Sequence, residues 1–296
     1  MLEHSFSITP KQAAGLTAKF LLFQTGFFVA IGMVLGVIGA INRHPPASSE
    51  IENPWLLTVV NSMAVTLVLQ AQLRRNQATW SHLATWGTRC LPLLPVLVLL
   101  MIGEVTITSE VDNRVSAVLP PPQWIVAYGT KLHDLAHHPF GNPFALIVMA
   151  AVTEEFLFRG LILRGLLARV GPAAAVVISA GLFAVMHLNP WQMPGAFLIG
   201  VILGWVYLRT RSLVLCFAGH AFHNAVVLLA TGLPFAVDGF NRGQQSGHIL
   251  YQPWWFTLPG LMALATGALL FHRLAPPLNW TRPDSSVEPP LLLSSE

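Results

Sequence analysis

The sequence predicts an all-α fold, a polytopic transmembrane bundle of about eight spans. Three observations carry this. The 296 residues are 54% hydrophobic and only 10% charged, against about 25% charged in a soluble domain. The mean hydropathy is +0.61. The apolar runs are continuous rather than alternating, which favours helices over a barrel. A net charge of +3 spread over loops indicates membrane topology and no nucleic-acid partner.

Each element follows from an apolar run and its polar ends. The first expected span, Phe20–Ile41, is too long for a signal-peptide core and reads as a retained anchor. Pro54–Leu73 comes next and closes on Arg74 and Arg75. Cys90–Gly103 is short against the roughly 20 residues a crossing helix needs, as is Pro194–Leu208. Between them lie Phe144–Leu163 and Ala173–Leu188, and Leu213–Ala230 and Trp254–Phe271 complete the set. With a cytoplasmic N-terminus, Lys11, Lys19, Arg74, Arg75, Arg89, Arg164, Arg169, Arg209, Arg211, Arg273 and Arg282 fall inside, while Arg43, Arg114, Lys131 and Arg242 fall outside. The positive-inside rule therefore favours both termini in the cytoplasm of a multi-pass plasma-membrane protein, bacterial in type.

Glu104–Asn142 reads as an external connection carrying a surface helix from Trp124 to His138, with Trp124 and Tyr128 at the interface level. Leu233–Pro253 reads as a second external loop, and the Pro- and Ser-rich tail from Pro276 as disordered. The chain divides into 1–143 (N-terminal spans and external loop), 144–230 (core), 231–275 (loop and last span) and 276–296 (tail). Gly32-x-x-x-Gly36 and Gly200-x-x-x-Gly204 allow close helix approach, expected within the bundle ahead of the alternative, a dimer seam. Cys90 and Cys216 read as packing residues.

Three polar clusters interrupt the apolar runs: Glu154-Glu155-x-x-x-Arg159, Phe183-x-x-x-His187 and His220-x-x-His223-Asn224. A charged side chain at a helix centre costs about 2.5–3.5 kcal/mol on insertion scales, so such groups pair, line a wet cavity or do chemistry. Glu154 and Glu155 point about 100° apart. Glu155 lies one turn before Arg159 in the favourable acid-then-base order, which leaves Glu154 free to face the interior. Phe183 is one turn before His187 and limits its rotamers. His220, His223 and Asn224 share one side of their span. An interhelical hydrogen-bond network would account for any one cluster, but three neighbouring spans each offer an inward polar turn.

These motifs, in order and in hydrophobic spans, resemble those of the CAAX protease and bacteriocin-processing family, the intramembrane proteases that include type II CAAX prenyl endopeptidases. The stretch Arg159-Gly160-Leu-Ile-Leu-Arg164 is also similar. The resemblance covers about Phe144 to Ala230. It implies that Glu154 activates a water, that His187 helps to hold it, and that His220 and Asn224 donate hydrogen bonds to the oxyanion. Glu155, Arg159 and Phe183 are then supporting residues. It implies a membrane-associated protein or peptide substrate, with CAAX-type prenylated proteins one such class. No cofactor is expected; the alternative is zinc held by Glu154, His187 and His220, although HExxH spacing is absent. His133-Asp134-x-x-His137 shares that motif's spacing with Asp in place of Glu, but Asp is too short to reach the same water, and its setting in the polar external loop reads as a solvated helix. There is no GxSxG elbow, and Ser179 and Cys216 have no evident base. Two other functions fit the composition: a non-catalytic immunity or partner protein of the same fold, and a proton- or ion-coupled transporter with Glu and His as a relay.

Overall fold

A computed structural model describes residues 7–43, 54–83, 91–136, 143–242 and 250–276, leaving aside the side chains of residues 54, 57, 82, 128, 131–136 and 231. The chain is all-α, and the described residues contain no strand, only an isolated bridge between Asp238 and Arg242. Helix α1 (Pro10–Ile41) starts at a capping box: the Thr9 hydroxyl accepts from the Gln12 amide, and the Gln12 side chain accepts from the Thr9 amide. It runs beside α2 (Pro54–Arg75). A 3₁₀ turn, Leu91–Leu93, leads into α3 (Leu94–Val118), followed by α4 (Gln123–Ala136).

The next run is irregular. A π-helix, Phe144–Met149, precedes α5 (Ala150–Glu155); a second π-helix, Phe156–Leu163, follows and ends in α6 (Arg164–Leu167). Each wide turn rotates the phase of the helix, and such bulges are frequent at functional sites. Here they bracket the Glu154–Glu155 pair. Helix α7 (Pro172–Met186) begins with proline at its first turn, where a missing N–H costs nothing. Helix α8 (Met193–Thr210) ends at Arg211, whose φ is 50°. Ser212 then caps α9 (Leu213–Leu229), its hydroxyl accepting from the Leu215 amide at 3.3 Å. The last helix, α10 (Trp254–Leu274), has its final carbonyls, His272 and Ala275, bonded by the Arg209 guanidinium.

Small residues set the closest packing. A Cβ on Gly200 would lie 2.9 Å from the Ala180 Cβ, and one on Gly204 would lie 3.0 Å from Val176, so this pair seats α8 on α7 as expected. On the other side, Gly103 and Gly260 bring α3 and α10 together: a Cβ on Gly103 would fall 2.1 Å from the Leu264 nitrogen. Gly32 and Gly36 behave differently. A Cβ added at either would meet nothing within 4 Å, so the packing expected for this motif within the bundle is not seen among the described residues. Cys216 is buried in the core, while Cys90, the side chains of the His133–His137 motif, Tyr128 and the tail beyond Pro276 lie outside the described side chains.

Two expectations need correction. Among the described residues, four helical stretches are long and apolar enough to cross a membrane: Pro10–Ile41, Leu91–Val118, Met193–Thr210 and Trp254–Leu274. The count by that measure is below eight, because α7 and α9 are shorter apolar helices of 15 and 17 residues and the run from Phe144 is broken by π turns. The third span is also not short. It continues through Glu104 to Val118, so the expected external connection is helical over its first half. Polarity misled the sequence reading there, because the polar groups of α3 find protein partners rather than water. Glu104 is fully buried. Ser109 and Asn113 donate to the Gly239 carbonyl at 3.0 and 2.6 Å. Glu110 accepts from the Gln252 amide at 2.9 Å. The segment between α9 and α10 is thereby docked on α3.

The contrast between the two small-residue motifs is testable. Gly200→Val should destabilise the protein by about 1–3 kcal/mol through overpacking, whereas Gly32→Val should change stability by less than about 0.5 kcal/mol. Unfolding of the two variants in one detergent gives the comparison.

Candidate active site

The site forms where α5, α7 and α9 meet, with α3 behind α9. Its centre is the Glu155 carboxylate, which has no exposure to solvent. One of its oxygens, Oε1, accepts from Arg159 Nη1 at 2.6 Å and lies 2.8 Å from His220 Nδ1. Arg159 is equally buried. Its Nη2 donates to the Gly200 carbonyl at 3.1 Å, and its guanidinium lies 4.9 Å from the centre of the Phe183 ring. The close α7–α8 approach at Gly200 makes this carbonyl reachable. The expected Glu155–Arg159 pair is therefore present, and it does more than lower a burial cost: it holds an imidazole.

That contact fixes the orientation of His220. Because Glu155 faces a buried guanidinium, its carboxylate is an acceptor, and His220 Nδ1 carries the proton donated to it. The other nitrogen, Nε2, lies 3.9 Å from Glu154 Oε2. This is too long for a direct hydrogen bond. Glu154 retains 14% side-chain exposure where its neighbour has none, so the two adjacent carboxylates divide as their 100° separation requires.

Phe183 is the second organiser. Its ring meets those of His187 and His220 edge-on, with centroids 5.0 and 5.6 Å away, and also packs on Phe158 at 5.2 Å. His187, at the C-terminal cap of α7, donates from Nδ1 to the Phe183 carbonyl at 2.8 Å. Its Nε2 is thus the free nitrogen. His187 makes no direct hydrogen bond to Glu154 among the described residues; the Phe183 ring links it to the site. Asn224 donates through Nδ2 to the Leu146 carbonyl in the first π-helix, at 3.3 Å. Ser179, the hydroxyl considered as a nucleophile, is buried and donates to the Phe158 carbonyl at 3.2 Å.

Sequence reasoning missed Glu104. Its Oε1 accepts from the Thr108 hydroxyl at 2.9 Å, and its Oε2 lies 2.8 Å from His223 Nδ1. Glu104, Thr108 and Asp112 form a stripe with helical spacing, beginning one residue beyond the expected end of the third span. That spacing was the available signal. Placing the residues in a loop concealed it.

Among the described residues, no three His, Cys, Asp or Glu side chains gather into a set that could hold a metal. His220 Nε2, the nitrogen left open by the Glu155 contact at Nδ1, lies 3.9 Å from Glu154 Oε2.

The buried pair gives a direct energetic test. Arg159→Met should cost about 3–5 kcal/mol, because it strands the Glu155 charge. Adding Glu155→Gln should recover much of that loss, since the remaining group is neutral. Chemical denaturation of the single and double variants in detergent measures both changes.

No curated protein matches the chain, and no solved structure does. One family model matches, that of the Type II CAAX prenyl endopeptidase Rce1-like family, over residues 137–226. The matched segment contains Glu154, Glu155, Arg159, Phe183, His187, His220 and Asn224, and over it the chain is similar to that family.

Proposed function

We propose that the protein is an intramembrane endopeptidase that hydrolyses a peptide bond of a membrane-associated protein or peptide with a glutamate-activated water. The carrying observation is the shared geometry of Glu154 and His220: a carboxylate oxygen and an imidazole nitrogen 3.9 Å apart, within reach of one bridging water. The match to a peptidase family supplies the reaction class.

In this reading Glu154 takes a proton from the water, and the resulting hydroxide attacks the scissile carbonyl. His187 Nε2, freed by the bond from Nδ1 to the Phe183 carbonyl, accepts the water's second hydrogen bond. The tetrahedral oxyanion receives hydrogen bonds from Asn224 Nδ2 and from His220 Nε2, the latter in its imidazolium form. The Glu155 carboxylate at Nδ1 stabilises that charge. Donors placed at a developing oxyanion are worth about 2.7–4 kcal/mol each. Glu155, Arg159 and Phe183 position these groups. No step requires a metal. The substrate is a lipid-embedded protein or peptide, CAAX-type prenylated chains included, and both termini of the enzyme face the cytoplasm.

Glu154→Ala and His220→Ala should each reduce cleavage of a membrane-anchored peptide by about 10²–10⁴-fold while the variants remain folded. Mass spectrometry of the products reads the loss. Parental cleavage rates in both variants would contradict the assigned roles. Chelation should leave the parent's rate unchanged; loss of a stoichiometric metal together with activity would contradict the metal-free mechanism.

A further inference from the structure

His223 is the polar residue of α9 that the proposed hydrolysis leaves without a task. Its local structure repeats that of His220. Each imidazole meets a fully buried carboxylate through Nδ1 at 2.8 Å, Glu155 for His220 and Glu104 for His223. Each carboxylate is fixed by a second donor on its own helix, Arg159 at 2.6 Å and Thr108 at 2.9 Å. A side chain placed only for packing needs no such two-point clamp. The clamp sets which nitrogen is free: Glu104 holds Nδ1, and Nε2 has no hydrogen-bond partner among the described residues. The side chain keeps 14% exposure, so Nε2 is not sealed in apolar packing.

Position on the helix defines what that nitrogen faces. At 100° per residue, Asn224 lies about 40° to one side of His220 and His223 about 60° to the other. Asn224 leans toward the first π-helix, where it bonds the Leu146 carbonyl, and His223 leans toward α3. The two proposed oxyanion donors therefore occupy one side of the turn, and His223 flanks them on the other. The α3 side is acidic. Asp112, two turns along from Glu104, presents a buried Oδ1 without a hydrogen-bond partner against Gly195 of α8. Carboxylates there favour a cationic imidazole and, after reaction, a cationic product.

We propose that His223 is the acid that protonates the leaving amine, with Glu104 as its positioning residue; this rests on the hydrolase reading above. In the step, the C–N bond of the tetrahedral intermediate breaks and its electron pair goes to nitrogen. The Nε2 proton of the His223 imidazolium transfers to that nitrogen, and the oxyanion collapses to the carboxylic acid. His223 is left neutral, its Nδ1–H still donated to Glu104. Solvent returns a proton to Nε2, and Glu154 releases to solvent the proton taken from the attacking water, which closes the cycle without a co-reactant.

The leaving group provides the test. The probe is a membrane-anchored peptide in detergent micelles whose cleaved bond is first mapped with the parent enzyme by mass spectrometry. A second probe carries a thioester at that bond, because a thiolate departs without a proton. His223→Gln should lower the maximal rate of peptide cleavage about 100-fold while changing thioester cleavage by less than about threefold. Glu104→Gln, which keeps a hydrogen-bonding group but removes the charge, should show the same selectivity more weakly. Retained thioester cleavage also reports that each variant is folded. Equal losses on both probes in both variants would overturn this role and leave only a structural one, and so would unchanged peptide cleavage by His223→Gln. Glu154→Ala should abolish cleavage of both probes; a parent that cleaves no peptide would overturn the hydrolase reading and, with it, this assignment.

Discussion

A single buried carboxylate oxygen organises the site. Glu155 Oε1 serves Arg159 and His220 at once, and each consequence follows from that sharing. The guanidinium keeps the carboxylate an acceptor, the carboxylate holds a proton on His220 Nδ1, and that bond leaves Nε2 facing Glu154. Arg159 reaches onward to the Gly200 carbonyl, which ties the electrostatics of α5 to the tight α7–α8 seam. The pairing offsets part of the burial cost of these groups, while Glu155 Oε2 and Arg159 Nε stay buried without a hydrogen-bond partner among the described residues.

The backbone supplies the rest of the arrangement. Two π-helical stretches flank Glu154 and Glu155, so the pair sits on a short α-helical step between two shifts of phase. The first stretch also provides the Leu146 carbonyl that holds Asn224. Phe183 then packs against Arg159, His187 and His220 together, filling the space among polar groups with a ring that cannot compete for their hydrogen bonds. The result is a polar centre whose members are clamped from behind and left free toward one another.

Much of this was legible in the sequence, for reasons that can be named. The all-α class follows from continuous apolar runs. The Glu155–Arg159 pair and the His220–Asn224 turn follow from one-turn spacing, and Gly200-x-x-x-Gly204 marks a real seam. The same spacing at Gly32-x-x-x-Gly36 marks none in this chain, because a small-residue stripe states what may approach and not what does. Glu104 was hidden for a related reason. Its partners, Thr108 and His223, lie one turn and 119 residues away, and hydropathy alone reads a carboxylate beside an apolar run as the end of a span. The lengths of α7 and α9, and the π turns, likewise depend on packing that no single stretch of sequence encodes.

The central claim is that Glu155 holds His220 through a protonated Nδ1. Nitrogen NMR of histidine-labelled protein in micelles observes this directly. The account predicts that His220 Nδ1 bears a proton and that Glu155→Gln shifts its resonance. A His220 ring with an unprotonated Nδ1, or one whose resonance ignores the Glu155 substitution, would contradict it.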